Sequence, residues 1–267
     1  MKKLFNVLCA ALMVLAISGC SKKAEKGEFT VQKDTLMVGM EVGYPPFEYY
    51  DTDGVTPIGF DPLLTKEIAK RLGLEVKYVD TAWDGILAGL DTDRYDVIAS
   101  AMTITEDRKK NYDFTQPYIG NGQAIVLRKD SNLNIKDFKD LDGLKVGYQA
   151  ETTSDFYTEK MINELGITMT LNEYDKVMNA YADLKLGRID AVVSDSLVAV
   201  SYLAPADSEF KQVWAGTPDE YFGLCVKKGN TELQSKLNKV LDEMKADGSL
   251  SKIYMEIFGM DLSDSIK

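Results

Sequence analysis

The stretch from Arg94 to Lys110, RYDVIASAMTITEDRKK, gathers residues that could act on one ligand. An apolar run, Val97-Ile98-Ala99, opens into the hydroxyl residues Ser100, Thr103 and Thr105, and Arg108 follows three residues after Thr105. A strand that runs into a hydroxyl-capped helix start leaves backbone N–H groups free, and the positive end of the helix dipole favours negative charge there. Arg108 adds a planar fork of donors that can engage both oxygens of a carboxylate. The pattern reads as an anion site, although an arginine on a solvated helix face has the same local spelling. A candidate counterpart is Asp195, which follows the apolar run Ala191-Val192-Val193 and Ser194. It could hold a cation or merely cap a helix starting at Ser196.

Such groups need elements that bring them together. The segment 90–100 aligns with 184–194 at a constant offset of 94, with Leu, Arg, Asp and Ser coinciding. Leu36-Met37-Val38-Gly39 and Leu144-Lys145-Val146-Gly147 repeat the spelling L-x-V-G in the same order. Two echoes in register predict two α/β lobes of similar plan, each with a helix, a turn and a buried strand ending at a serine. Asp61-Pro62 reads as a helix opening, with Asp61 as N-cap and Pro62 at the first helical position. Leu63, Ile68 and Leu72 give that helix an apolar face, and Gly73 gives it a stop. Residues 75–79 alternate as a strand; 153–165, 175–186 and 233–244 read as helices. Ligands of open α/β sheets collect outside the carboxyl ends of strands. Ser100 and Ser194-Asp195 lie at such ends in different lobes, which predicts a cleft between the lobes.

Composition narrows the chemistry. A chain of 267 residues with 45% apolar and 27% charged residues suits one large or two modest soluble domains. The formal charge of −11 argues against nucleic acid as a partner, because such binding uses a basic footprint. The absence of histidine removes Ser-His and Cys-His catalysis and histidine-ligated zinc. Lys2-Lys3, an apolar run over 4–17 and Ile17-Ser18-Gly19-Cys20 describe an export signal at 1–19, too short for a membrane span. ISGC resembles the lipobox of bacterial lipoproteins, which makes Cys20 a lipidation site; plain secretion and an uncleaved anchor are the other readings. Residues 20–33, polar and without periodicity, read as a flexible lipid-anchored tether. Cys9 leaves with the signal, so Cys225, in the apolar run FGLCV, is left as a buried small hydrophobe without a disulfide partner. Asp51-Thr52-Asp53-Gly54 and Asp140-Leu141-Asp142-Gly143 resemble calcium-loop fragments but lack the remaining ligands, and read as turns. No metal or cofactor is expected. With no glycine-rich phosphate loop, nucleotide hydrolysis belongs to another subunit.

The order of YPPFEYYDTDG, GFD, WDGIL, YDVIASAMTITEDR, DFTQPY, VGYQAETTS and RIDAVVSD resembles the polar amino-acid binding proteins of bacterial ABC importers, over residues 35–258. The resemblance implies a two-lobed periplasmic-binding-protein-like fold, each lobe a mixed sheet flanked by helices, with the ligand cleft between lobes. Lobe 1 would comprise 34–122 and 218–267, lobe 2 residues 123–217, with hinge crossings near 122–126 and 218–224. On the same resemblance Arg108 takes an α-carboxylate and Asp195 an α-ammonium. Thr103 and Thr153 donate hydrogen bonds, with Thr152 and Ser154 as neighbours of Thr153, and Ser100 offers its carbonyl beside Ala101 in the cleft wall. Tyr44 and Trp83 sandwich the ligand side chain, and Glu41 faces its distal end. That trio suits arginine or lysine, while glutamine, histidine and cystine stay compatible. Glu151 where glycine is common, Ala101 for a frequent serine, and Leu63 for a second aspartate depart from the family pattern.

The expected function is a monomeric lipoprotein receptor at the outer face of the cell membrane or in the periplasm. It binds a polar L-amino acid and delivers it to an ABC permease. The alternatives are a cyclohexadienyl dehydratase-like enzyme, with Glu41 or Glu151 as general acid, and a sensor without transport.

Overall fold

A computed structural model describes residues 27–266; the expected signal peptide and Cys20 lie outside the described residues. The first lobe is built on a five-stranded sheet with spatial order Glu75–Asp80, Thr35–Met40, Val97–Ile98, Cys225–Lys227, Tyr112–Phe114. The first three strands are parallel and Cys225–Lys227 runs antiparallel to both neighbours. Leu36, Val38 and Met40 are fully buried in the core that the helix Phe60–Leu72 covers with Phe60, Leu64 and Ile68. Helices Thr231–Ala246 and Ser249–Phe258 close over that helix, and the Phe60 ring stacks between Tyr118 and Tyr254 at 5.7 and 5.5 Å. Cys225 is buried and free.

The start of the helix Phe60–Leu72 corrects one expectation. Asp61 is not the N-cap. Gly59 holds that place at φ 119, and a Cβ there would stand 2.4 Å from the Phe47 carbonyl oxygen, so only glycine fits. Asp61 lies inside the first turn and turns its carboxylate to the Ala101 N–H at 2.8 Å, a tertiary partner that local capping rules do not foresee. Leu63 and Leu72 are only partly buried. Gly73 ends the helix in the left-handed region as expected.

The second lobe repeats the plan. Its sheet runs Thr170–Tyr174, Lys145–Gln149, Ala191–Asp195, Gln123–Arg128, Phe210–Ala215, the first three parallel and the last two joined antiparallel. Ala124, Val126 and Val192 belong to the core shared with helices Val177–Lys185 and Ser196–Leu203. Ile125, Leu127 and Val193 form a second core with Phe138, against which Tyr157 and Met161 of helix Thr153–Leu165 pack. The sequence echoes have a packing cause. In each lobe the L-x-V-G strand pairs with the strand of the longer echo. Its glycine makes room for the residue after the arginine: a Cβ on Gly39 would lie 2.5 Å from the Tyr95 ring, and one on Gly147 2.5 Å from Ile189 Cδ1.

The lobes are joined by a two-stranded antiparallel ribbon, Ile119–Asn121 with Glu220–Phe222. The chain runs out along Ile119–Asn121 and back along Glu220–Phe222, and most of 122–126 serves the second sheet as strand Gln123–Arg128.

The tether expectation also needs shortening. Thr30 is buried, Phe29 packs on the core with Lys236 Nζ 4.6 Å from its ring centroid, and Val31 N–H donates to Asp96 Oδ1 at 2.5 Å. Asp96 Oδ2 accepts from Met37 N–H at 2.7 Å, so one carboxylate clips residues 29–32 to the first lobe. Two apolar side chains in a polar segment were too weak a signal. Replacing Asp96 by alanine strands both N–H donors and is expected to lower unfolding stability by about 2–3 kcal/mol, read as a lower urea midpoint at unchanged m-value.

Candidate functional site

The first lobe supplies the floor of the cleft. Beyond the strand Thr35–Met40 the chain turns back, with Gly43 and Tyr44 N–H groups donating to the Glu48 carbonyl at 3.0 and 2.8 Å, which buries the Tyr44 ring. The Ser100 hydroxyl accepts from Glu41 N–H at 3.0 Å and donates to Glu48 Oε1 at 2.6 Å. Ala101 sits at φ 43. Thr105 caps the helix Glu106–Asn111 by accepting from Arg108 N–H at 3.2 Å, as the spacing predicts. The Arg108 guanidinium folds back: Nη1 donates to the Thr103 carbonyl at 2.9 Å, and Cζ lies 5.3 Å from the Trp83 ring centroid.

The second lobe closes against these groups. Asp195 ends the strand Ala191–Asp195 and does not cap the following helix with its side chain. Its carboxylate accepts from the Tyr44 hydroxyl at 2.5 Å, Asn121 Nδ2 at 2.8 Å and Gln123 Nε2 at 3.1 Å. Gln149 Nε2 donates to Glu41 Oε2 at 2.7 Å. The Thr153 hydroxyl lies 3.4 Å from that of Thr103 and donates to Glu220 Oε2 at 3.0 Å. Trp83 Nε1 donates to the Glu151 carbonyl at 3.1 Å. Several of these bonds bridge the lobes directly.

Glu41, Tyr44, Trp83, Ser100, Ala101, Thr103, Arg108, Thr152, Thr153 and Asp195 all line one small cavity between the lobes. Glu48 and Gln149 complete its wall and were not singled out from sequence. Glu48 is a lone charge in the aromatic stretch YPPFEYY, and Gln149 stands at the carboxyl end of its strand; both positions carried a readable signal. Ser154 stays out of the lining and donates to Gln123 Oε1 at 2.7 Å. Glu151 is exposed at φ 59, a conformation that suits the glycine expected there. Asp53 binds Val55 N–H, Thr56 N–H and the Thr56 hydroxyl within its own turn, and Asp142 binds Thr168.

Electrostatics set what the cavity can take. Burial raises Asp195 to about 7, helped by the charge of Glu220 and opposed by its hydrogen bonds from Tyr44, Asn121 and Gln123. Burial likewise raises Glu41 to about 7, against the lowering effects of Gln149 and Lys176. Arg108 is lowered by burial, while Cys225, Asp195 and Glu220 favour its charge. Arg108 and Asp195 thus feel one another, whereas Glu41 faces Lys176, Asp80 and Asp175 at a different part of the wall. A zwitterion can pair with the first two groups and present a distal charge to the third.

Comparison with known proteins agrees with this geometry. Residues 36–260 match the family described as bacterial extracellular solute-binding proteins, family 3. The L-cystine-binding protein TcyJ of Escherichia coli is 33% identical over 262 residues, covering 97% of each chain. The L-arginine-binding protein of Pseudomonas aeruginosa is 31% identical over 273 residues, covering 99% of this chain and 100% of its own. Among solved structures, an ancestral arginine-binding protein bound to arginine is 42% identical with a TM-score of 0.79, covering 85% of this chain and 99% of that one.

Proposed function

The chain belongs to the bacterial extracellular solute-binding proteins, family 3, and from that premise we propose that it captures a polar amino acid with a cationic side chain and delivers it to an ABC permease. Arg108 holds the α-carboxylate, with the hydroxyls of Thr103 and Thr153 beside it. Asp195 holds the α-ammonium, Tyr44 and Trp83 flank the side chain, and Glu41 meets its distal charge. One observation carries this reading: three buried carboxyls, Asp195, Glu41 and Glu48, share a cavity with the single guanidinium of Arg108. Burial holds Asp195 and Glu41 near neutral pKa values, and the two positive charges of a dibasic zwitterion favour their ionised forms. The relative named for arginine and the arginine-bound structure support the same class.

Lobe 1 (34–122 and 218–267) and lobe 2 (123–217) turn about the connecting ribbon in this reading. A ligand that bonds both lobes favours the closed arrangement, and the permease recognises the closed surface. Lipid on Cys20 holds a monomer at the outer face of the membrane; the ISGC sequence and the extracellular character of the family support that placement. Binding without turnover is supported by relatives named for binding.

The test is thermal unfolding of protein stripped of bound ligand by unfolding and refolding, with arginine, lysine, ornithine, glutamine and cystine in turn. A ligand at about 100 times its Kd adds about 2.7 kcal/mol, several degrees in Tm for a chain of this size. The rise is expected with the cationic amino acids. In Glu41→Gln the affinity for arginine should fall at least about tenfold, from loss of a charged hydrogen bond, with glutamine less affected. A rise confined to neutral ligands would exclude the cationic class. No rise with any, together with turnover of prephenate or arogenate, would favour the dehydratase.

A further inference from the structure

Behind the residues assigned to the ligand, two carboxyl groups are buried against each other. Glu48 comes from the turn after Tyr44 and Asp61 from the first turn of helix Phe60–Leu72; both are 0% exposed and in hydrogen-bonding contact. The groups around the pair are Glu41, the Ser100 hydroxyl, the Ala101 N–H and the hydroxyls of Tyr44 and Tyr118, with Tyr254 bonded to the Tyr118 carbonyl beyond them. None of these is a cation. Two carboxylates in contact in a dry site without a cation do not both ionise, so the pair holds a proton.

The surrounding donors say where it sits. Asp61 Oδ2 accepts from Ala101 N–H at 2.8 Å, and the Tyr118 hydroxyl lies near the same carboxyl, so the neighbours of Asp61 other than Glu48 are donors. Glu48 Oε1 takes the Ser100 proton at 2.6 Å, because the Ser100 oxygen is already accepting from Glu41 N–H. Glu48 Oε2, Asp61 Oδ1 and the Tyr118 hydroxyl are buried without another partner, which leaves the two carboxyl oxygens to each other and to that hydroxyl.

We propose that Glu48 is a neutral carboxylic acid whose Oε2–H donates to the Asp61 carboxylate, and that this shared proton positions Ser100, Ala101 and the Tyr44 turn in the cavity wall. Burial raising Glu48 well above the carboxylate range, and donation from Glu48 lowering Asp61, point the same way. Glu48 is a positioning residue here. One consequence rests on the ligand reading above: Glu48 lines the cavity without adding charge, which leaves Glu41 and Asp195 as the carboxyls of its wall that ionise.

The proton is countable without any ligand. A carboxyl protonated only in the folded state gives stability that is full below its unfolded pKa and is lost as pH rises, tenfold in the folding equilibrium per pH unit. Urea unfolding of the ligand-free wild type between about pH 7 and 9 therefore weakens with a slope that includes one proton from Glu48. Glu48→Gln, an isostere that can still donate to Asp61 and accept from Ser100, is expected to flatten that slope by one proton. Asp61→Asn removes the anion that accepts the proton, and is expected to lose stability and to flatten the slope in part, because Glu48 then lacks the neighbouring charge that keeps it neutral. Infrared spectra at about pH 9, where Asp195 and Glu41 are ionised, should show a protonated carboxylic-acid band that shifts in D₂O and is absent from Glu48→Gln. An unchanged slope in Glu48→Gln, or persistence of the band in Glu48→Gln, would each overturn the assignment. If Asp61→Asn does not fold, the Glu48→Gln slope and band decide. A Glu48 that only fills space would lose stability on substitution without changing the proton count, and since no ligand is present the outcome is separate from that of the amino-acid screen.

Discussion

Arg108→Ala is expected to abolish amino-acid binding while the chain stays folded. In the closed cleft the α-carboxylate would lose its only guanidinium partner, and breaking a buried pair by removing one member costs about 3–5 kcal/mol. That corresponds to a Kd weaker by about 10²–10³-fold or more. The fold depends little on this side chain: it is half-buried on a six-residue helix, and its guanidinium donates to the Thr103 carbonyl, a bond that water can replace. Arg108→Lys separates charge from geometry. It keeps the positive charge but loses the fork and the stacking 5.3 Å from the Trp83 ring, so an intermediate loss of about 10–100-fold is expected. Titration calorimetry reads both affinities, and circular dichroism checks the fold. Near-native affinity in Arg108→Ala would place the carboxylate elsewhere.

The second large effect belongs to Asp195. Its carboxylate accepts from Tyr44, Asn121 and Gln123 and is raised to about 7 by burial and Glu220. Ammonium binding favours the ionised form. In the ligand-free protein Asp195 takes a proton as pH falls below about 7, and affinity should then drop up to tenfold per pH unit, with Glu41 steepening the fall. Asp195→Asn keeps the shape, since its oxygen can face the Asn121 and Gln123 amides while its amide faces the Tyr44 oxygen. It should nevertheless weaken binding by about 3 kcal/mol or more, and flatten the pH dependence by one proton. Stability of the empty protein moves the other way. The folded pKa of Asp195 lies above the ordinary aspartate value, so its contribution is full at low pH and lost as pH rises to about 7. Asparagine has no such loss, so ligand-free Asp195→Asn should be at least as stable as wild type at pH 8. If the variant instead binds as tightly as wild type at every pH, Asp195 is structural.

These two results share a physical theme. The cleft carries lobe-to-lobe bonds, Tyr44 to Asp195 and Gln149 to Glu41. Its raised carboxyl pKa values mean that closure without a cation works against charge. A zwitterion with a distal cation removes that opposition at both ends, and so shifts the balance toward the closed form by its differential affinity.

The sequence carried the site better than it carried local boundaries. Arg108, Thr103 and Thr105 were legible because a strand end, a cap and an arginine occur within nine residues. Asp195 was legible through an internal echo, whose glycines turn out to be spaces for Tyr95 and Ile189. Asp61 misled because an Asp-Pro pair has the spelling of a helix cap, while its true partner, the Ala101 N–H, is 40 residues away. Phe29 and Val31 hid in a polar stretch, and the partner that orders them, Asp96, is 65 residues from Val31. Glu48 and Gln149 carried a local signal, a lone charge among aromatics and a strand end, but their partners, Asp61, Ser100 and Glu41, lie in other segments.

The central claim is that Arg108 receives an α-carboxylate while the opposite wall receives cations. Calorimetric titration of ligand-stripped protein with L-arginine, beside agmatine, which is arginine without its carboxylate, tests it most directly. Arginine should bind with a Kd of about 1 μM or tighter, about −8 kcal/mol, and agmatine at least about 100-fold more weakly. Equal affinity for the two, or no heat from arginine at millimolar concentration, would contradict the account.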